Sequence, residues 1–212
     1  STGYGLVLIV RTLLNAPFLL SRRRIRDCLD LCYSYCIGSF LVTSVVALFT
    51  GMILALNGGN SLEELGQEGL IGPIVAVSMI REMGPFMTAL ILTASLGSGI
   101  AAEIGTMKIS EEIDALRIMS IPPIRFLVLP RMVALTLVTP VMTIFAAFIG
   151  ILGGSLVANS QFDVGWVAFR NDALESLEFL DVFTGMLKSV VFGITIATVG
   201  CTQGLLTKGG AT

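Results

Sequence analysis

Three ionisable side chains, Arg81, Glu82 and Lys188, stand inside stretches of the chain that are otherwise apolar. Such charges can grip a polar headgroup, gate a cavity, or neutralise one another. An ionised residue at the centre of a bilayer costs at least about 2.5–3.5 kcal/mol on insertion scales, so it usually faces a cavity or a partner. Two readings therefore stand for Arg81-Glu82: contact with a substrate headgroup or gate, and a local ion pair that lets the helix tolerate its own charges. Lys188 lies about two turns inside its apolar run. Its long stem could also snorkel the ammonium outward.

Other chemistry is thinly supplied. Histidine is absent, which removes histidine-based triads, imidazole metal sites and imidazole proton relays. Cys28, Cys32 and Cys36 recur every fourth residue along one helical face. A metal site there would lack a fourth ligand, so small apolar packing residues are the better reading, with Cys201 alone in another apolar run. Gly97-Ser98-Gly99-Ile100-Ala101-Ala102 matches a dinucleotide-binding pattern, but that pattern works only between a strand and a helix. Here it ends a long apolar helix, and close packing of small residues explains it. No G-x-x-x-x-G-K-[ST] occurs, so any ATP that drives this chain is hydrolysed by another polypeptide through its own phosphate loop. A membrane-embedded enzyme would need a nucleophile, metal ligands or a paired-carboxylate cluster, and the sequence offers none. No cofactor is expected, and a net charge of −2 gives no reason to expect nucleic acid.

The elements that position these residues follow from hydropathy. Of 212 residues, 54% are hydrophobic and 13% charged, half the charged share of a soluble domain. The apolar residues come in runs long enough to cross about 30 Å of hydrocarbon, which takes about 20 helical residues. The expected fold is an all-α integral membrane protein forming a single membrane domain over 1–212. Residues 1–26 form an interfacial helix with the basic cluster Arg22, Arg23, Arg24 and Arg26. Four spans follow at 31–56, 70–102, 126–158 and 182–206, the second kinked at Gly84-Pro85. In the third span Gly150 and Gly154 form a GxxxG pair suited to close helix packing. Two acidic loops, 57–68 and 159–181, separate the spans on one side.

Threading four spans sorts the cations. Arg11, the Arg22–Arg26 cluster, Lys108, Arg117, Arg125, Arg131 and Lys208 fall on one side, and only Arg170 on the other. That asymmetry makes the first side cytosolic. Residues 103–120 then lie in the cytosol. There Ser110 is the expected N-cap, Glu111 and Glu112 sit in the first turn, and Ile109, Ile113 and Leu116 share an apolar face. A polar helix joined rigidly to two spans can pass force from a soluble partner into the membrane, or can be a plain connecting helix.

The segment Ala102-Glu103-Ile104-Gly105-Thr106-Met107-Lys108-Ile109-Ser110-Glu111-Glu112-Ile113-Asp114-Ala115-Leu116 resembles the signature A-E-[IL]-G-[TS]-M-[RK]-[VI]-[TS]-E-Q-I-D-A-L of the MlaE/YrbE-type permeases. These are the membrane subunits of lipid-transporting ABC systems that work with MCE proteins. Glu112 stands where Gln is common. Ile80-Arg81-Glu82-Met83-Gly84-Pro85 is similar to that family's L-R-E-L-G-P. Pro123 through Arg131 is similar to D-P-x-R-x-L-x-x-P-R, with Pro122 in place of Asp. Lys188-Ser189-Val190-Val191-Phe192-Gly193 is similar to K-S-x-x-F-[GA].

The resemblance covers essentially the whole chain in order, and it implies more than composition can. It implies a phospholipid permease of a cell inner membrane, acting as a homodimer with a lipid cavity between the copies and a fifth span following Thr212. Its partners would be an ABC ATPase subunit below, an MCE-domain protein on the outward side and a small STAS-type accessory protein. Arg81, Glu82 and Lys188 would be the charges near the lipid path. Glu103, Gly105, Thr106, Met107, Lys108, Glu111, Glu112, Asp114 and Leu116 would belong to the coupling helix in the ATPase groove. The competing expectation is an ion-gradient-driven secondary transporter of an amphipathic substrate, which broken helices with midplane charges would suit. No inverted repeat and few membrane carboxylates support that rival.

Overall fold

The computed structural model describes residues 22–120 and 122–207. Among these residues there are helices and connecting turns but no strand. In chain order the helices are α1 (Arg22–Glu63), α2 (Glu68–Ile109), α3 (Glu112–Ile118), α4 (Ile124–Gln161), α5 (Trp166–Glu175) and α6 (Phe179–Leu206). Four of them, α1, α2, α4 and α6, are long and apolar enough to cross a membrane. Their outer surfaces agree with that. Leu41, Val45, Phe49 and Ile53 of α1, and Leu137, Val141, Ile144 and Phe148 of α4, form exposed apolar stripes at helical spacing. Water would penalise such continuous stripes, whereas hydrocarbon would not.

The proposed segment 1–21 of the interfacial helix, Lys208 and any fifth span lie outside the described residues. The backbone of the basic cluster, assigned above to that interfacial segment, is the first turn of α1. α1 ends in a left-handed glycine cap. Gly66 sits at φ +66°, its N–H donates to the Glu63 carbonyl at 3.0 Å, and the Gln67 N–H reaches back to Leu62 at 3.0 Å. Only glycine takes that φ without a Cβ penalty.

α2 is not a uniform α-helix. Two five-residue π turns, Met79–Met83 and Thr93–Gly97, interrupt it, and a third, Ile124–Val128, opens α4. Such bulges insert a residue into the helical ladder and occur often at functional positions. α2 also runs on to Ile109, past the expected end of the span at residue 102. The backbone hydrogen-bond ladder is indifferent to the change from apolar to polar side chains at Glu103.

The described residues form two compact units. One takes 22–38, Leu92–Val138 and 191–207; the other takes Ser39–Ile91 and Thr139–Val190. In the second unit Ala55, Leu62, Ile71, Val75, Met79, Ala158, Phe162 and Phe169 pack as one buried cluster. The GxxxG pair works there as expected. A Cβ added to Gly150 would lie 3.1 Å from the Ala47 carbonyl oxygen, and one on Gly154 would lie 3.2 Å from that of Gly51. Helix α5 was not anticipated within the acidic loop 159–181. It buries Phe169 and Ala173 and lies against the start of α2, where its backbone passes Gly72.

In the first unit, Ile100, Ile104, Ile113, Leu127, Val128, Leu129, Leu135, Ala197 and Cys201 are buried. The thiols of Cys28 and Cys32 lie 3.7 and 3.9 Å from the carbonyl oxygens of Pro130 and Ala134 on α4. The Gly97–Ala102 motif sits where α2 meets α6, with Gly200 against the Gly97 carbonyl and Gly204 against Ala101 and Ile104. Small residues there serve close backbone approach.

Candidate functional site

The second unit brings Arg81, Glu82 and Lys188 together. The π turn Met79–Met83 carries the first two side chains, closed by the Gly84 N–H on the Met79 carbonyl. One residue further, Pro85 has no N–H to offer the Arg81 carbonyl four residues back. The Lys188 ammonium donates to that carbonyl at 3.1 Å and to Glu82 Oε1 at 2.6 Å. Helix α6 can come this near because residue 185 is glycine: a Cβ there would sit 2.3 Å from the Ile80 carbonyl oxygen. Lys188 follows three residues, nearly one turn, later. Its ammonium is turned inward to α2, so the outward-snorkelling conformation is not the one adopted.

A fourth member, Asp181, completes the cluster. Arg81 Nη1 lies 3.7 Å from Asp181 Oδ1, and Arg81 Nε lies 4.0 Å from Glu82 Oε1. Two cations and two carboxylates thus form a neutral set, and apart from Asp181 their side chains are between 39% and 58% exposed. Neutrality lowers the cost of placing four charges among apolar helices. Exposure leaves their remaining hydrogen-bonding positions open to a charged or zwitterionic headgroup. Sequence reasoning missed Asp181 by assigning it to the acidic loop. The available signal was its spacing of seven residues before Lys188, two helical turns on one face.

The first unit holds the other candidate residues, and it divides them. Glu103 Oε1 lies 2.7 Å from Arg131 Nη2, and Arg131 Nη1 donates to the Leu127 carbonyl at 3.0 Å. The Arg131 side chain is only 8% exposed, although its sequence position placed it among the cytosolic cations. Gly105 is buried, and an added Cβ would meet Thr207 Oγ1 at 3.2 Å. Met107 and Leu116 are half-buried. Thr106 is exposed, its hydroxyl donating to the Ala102 carbonyl.

Residues 103–120 are not one helix. Ser110 is not the N-cap: its N–H donates to the Thr106 carbonyl at 2.9 Å, so it closes the last turn of α2. Glu111 makes the break at φ +59°, and α3 starts at Glu112. Ile113 is fully buried and anchors α3, while Ile109 falls on the other side of the break and is exposed. Asp114 is gripped by Lys108 Nζ at 2.9 Å and Arg117 Nη1 at 3.0 Å. The Lys108 hydrogen bond holds the Asp114 carboxyl below the usual carboxylate range, and the charges of Lys108 and Arg117 add to this. Glu111 and Glu112 are exposed and carry no ion pair among the described residues. No cluster of three potential metal ligands occurs among those residues either.

The amino-acid sequence matches a known family. The sequence model for Permease MlaE matches residues 28–212. A protein of Synechocystis sp. named "Probable ABC transporter permease protein" is 36% identical over 173 residues, covering 82% of this chain and 66% of its own. The Haemophilus influenzae "Intermembrane phospholipid transport system permease protein MlaE" is 34% identical over 169 residues, covering 79% of this chain and 65% of its own. The chloroplastic protein TRIGALACTOSYLDIACYLGLYCEROL 1 of Arabidopsis thaliana is 32% identical over 175 residues, covering 82% of this chain and 49% of its own. The chain therefore spans about two thirds of the bacterial relatives' length and about half of the plant protein's. With four helices able to cross a membrane and a family match over most of its length, the chain is a multi-pass membrane protein that belongs to the MlaE permease family.

Proposed function

We propose that this chain is the membrane-spanning subunit of an ABC transporter that moves phospholipid or a related lipid between the inner membrane and the outer envelope. ATP hydrolysis in a separate subunit drives the movement. A homodimer forms the conduit, with an MCE-domain protein outward and an ATPase, accompanied by a small STAS-type protein, on the cytosolic side. The observation that carries the reading is the neutral cluster of Arg81, Glu82, Asp181 and Lys188 set among apolar helices. Phospholipid needs both kinds of surface at once, apolar walls for its tails and paired charges that exchange partners with its phosphate and amine. Lys188 would release Glu82 to take the phosphate, and Glu82 would take the amine or return to Arg81.

The ATPase contact falls on residues 103–120, a reading supported by the resemblance of that segment to the family signature, by relatives named as ABC transporter permeases, and by the charges that remain available there. Thr106, Glu111 and Glu112 are exposed there and carry no ion pair among the described residues, whereas Glu103, also exposed, is tied to Arg131 and Asp114 to Lys108 and Arg117. The test is lipid transfer between labelled vesicles by the reconstituted full-length complex. Arg81→Ala and Glu82→Ala should lower ATP-dependent transfer while the dimer still elutes intact. Normal transfer by both variants removes the cluster from the mechanism. Transfer driven by an ion gradient without ATP would favour the secondary-transporter alternative.

A further inference from the structure

A groove of about 490 Å³ opens between α4 and α5, separate in its lining from the charge cluster. Phe148, Leu152 and Ser155 form one wall and Trp166, Arg170 and Leu174 the other. The volume is that of a small-molecule site, and the walls are almost wholly apolar. Ser155, whose hydroxyl donates to the Leu152 carbonyl, and Arg170 are the exceptions. Arg170 is the single cation that the threading of the chain puts on its side of the membrane, in a loop that also contains Asp163, Asp172, Glu175 and Glu178. Despite these neighbours in sequence, it makes no ion pair or hydrogen bond among the described residues. Trp166 is half-exposed at the groove, as befits an aromatic at a membrane–water boundary.

An unpaired guanidinium beside a dry slot, next to a boundary tryptophan, matches one ligand chemistry: an anionic head above a hydrocarbon tail. We propose that the groove between α4 and α5 holds an acyl chain of an anionic phospholipid whose phosphate sits on Arg170. This rests on the lipid-handling function proposed above and adds to it a headgroup-selective site at the outward leaflet. Selectivity comes from Arg170, and depth of insertion from the apolar walls.

The test uses the assembled full-length protein in bilayers containing a trace of lipid with a photoreactive acyl chain, phosphatidylglycerol in one arm and phosphatidylcholine in the other. Adducts are mapped by peptide mass spectrometry. One arginine near the surface favours an anionic lipid by about fivefold, so the phosphatidylglycerol probe should label the segments 148–155 and 166–177 about fivefold more than the phosphatidylcholine probe. Arg170→Gln should erase that preference while labelling continues. Leu174→Asp changes an exposed residue, so the fold survives, and it should abolish labelling of the groove by both probes. Equal labelling by the two lipids, labelling no denser than along the Leu41–Ile53 stripe, or a groove left unlabelled because another protein surface covers it would each overturn the proposal. Lipid transfer that persists with an unlabelled groove would sink this site and leave the proposed function standing.

Discussion

Removing the Glu103 carboxylate should cost more than removing its buried partner, although Arg131 is the larger side chain. The Arg131 guanidinium is 8% exposed while Glu103 is 53% exposed. In Glu103→Ala the guanidinium stays inside, keeps its bond to the Leu127 carbonyl, and loses its counter-charge. Breaking a fully buried pair from one side costs about 3–5 kcal/mol. Because water reaches Glu103, the loss here should be nearer that of a single charged hydrogen bond, about 1.5–3 kcal/mol. Arg131→Met keeps most of the stem volume and leaves a carboxylate that water can solvate, which should cost about 0–1 kcal/mol. It also removes Arg131 Nε, a buried donor with no partner. The double variant should then resemble Arg131→Met alone. Reversible unfolding in mixed micelles of all four proteins closes the cycle. If Arg131→Met is the more damaging single change, or the two costs simply add, the account of this ion pair is wrong. The same variants separate structure from docking: stability restored in the double variant without restored ATPase coupling would mean that Glu103 also contacts the partner.

Other outcomes can be checked alongside. Charge reversal at Glu111, which is exposed and unpaired among the described residues, should weaken capture of the ATPase in a pull-down, and reversal at Asp114 should do so by setting three cations together; unchanged capture by both refutes the coupling assignment. Gly185→Leu should separate α6 from the Ile80 carbonyl and lower lipid transfer as far as Lys188→Met does, because both remove the ammonium from Glu82; normal transfer with Gly185→Leu would refute the positioning role of the glycine. Gly51→Val should unfold more easily than wild type by about 1–3 kcal/mol or more, since even a Cβ there would fall 1.7 Å from the Gly150 carbonyl oxygen. The Asp114 carboxyl is held below its ordinary value, so its ties stabilise α3 in full above about pH 4 and fade as pH falls through the lowered value. Pepsin cleavage of 110–118, normalised at each pH to cleavage of the same segment as a free peptide, should therefore rise on acidification, and Lys108→Met should flatten that rise.

Hydropathy made the four long helices legible because each apolar run is far longer than a soluble core requires. Where each helix ended was less legible. Polar residues from Glu103 onward mark departure from hydrocarbon, but a helix stops only where its backbone bonding is interrupted, here at Glu111. Helix α5 was hidden for a related reason. Five carboxylates dominate 159–181, while Trp166, Val167, Phe169, Ala173 and Leu174 repeat at helical spacing beneath that charge. The cluster of Arg81, Glu82 and Lys188 was visible as charges out of place, whereas its geometry was not. That geometry depends on a missing N–H at Pro85 and an absent Cβ at Gly185, features of two distant segments. The burial of Arg131 could not be read from a position flanking an apolar run.

The widened turn at Met79–Met83 carries a mechanical consequence. One residue beyond the α-helical repeat puts everything downstream out of phase by roughly 100°. Squeezing that extra residue out would spin the stretch after Gly84 about its own long axis like a key in a lock, with no hydrogen-bonded rod having to snap. Arg81 and Glu82 ride on the tumbler itself, so the same twist would swing both charges away from Lys188.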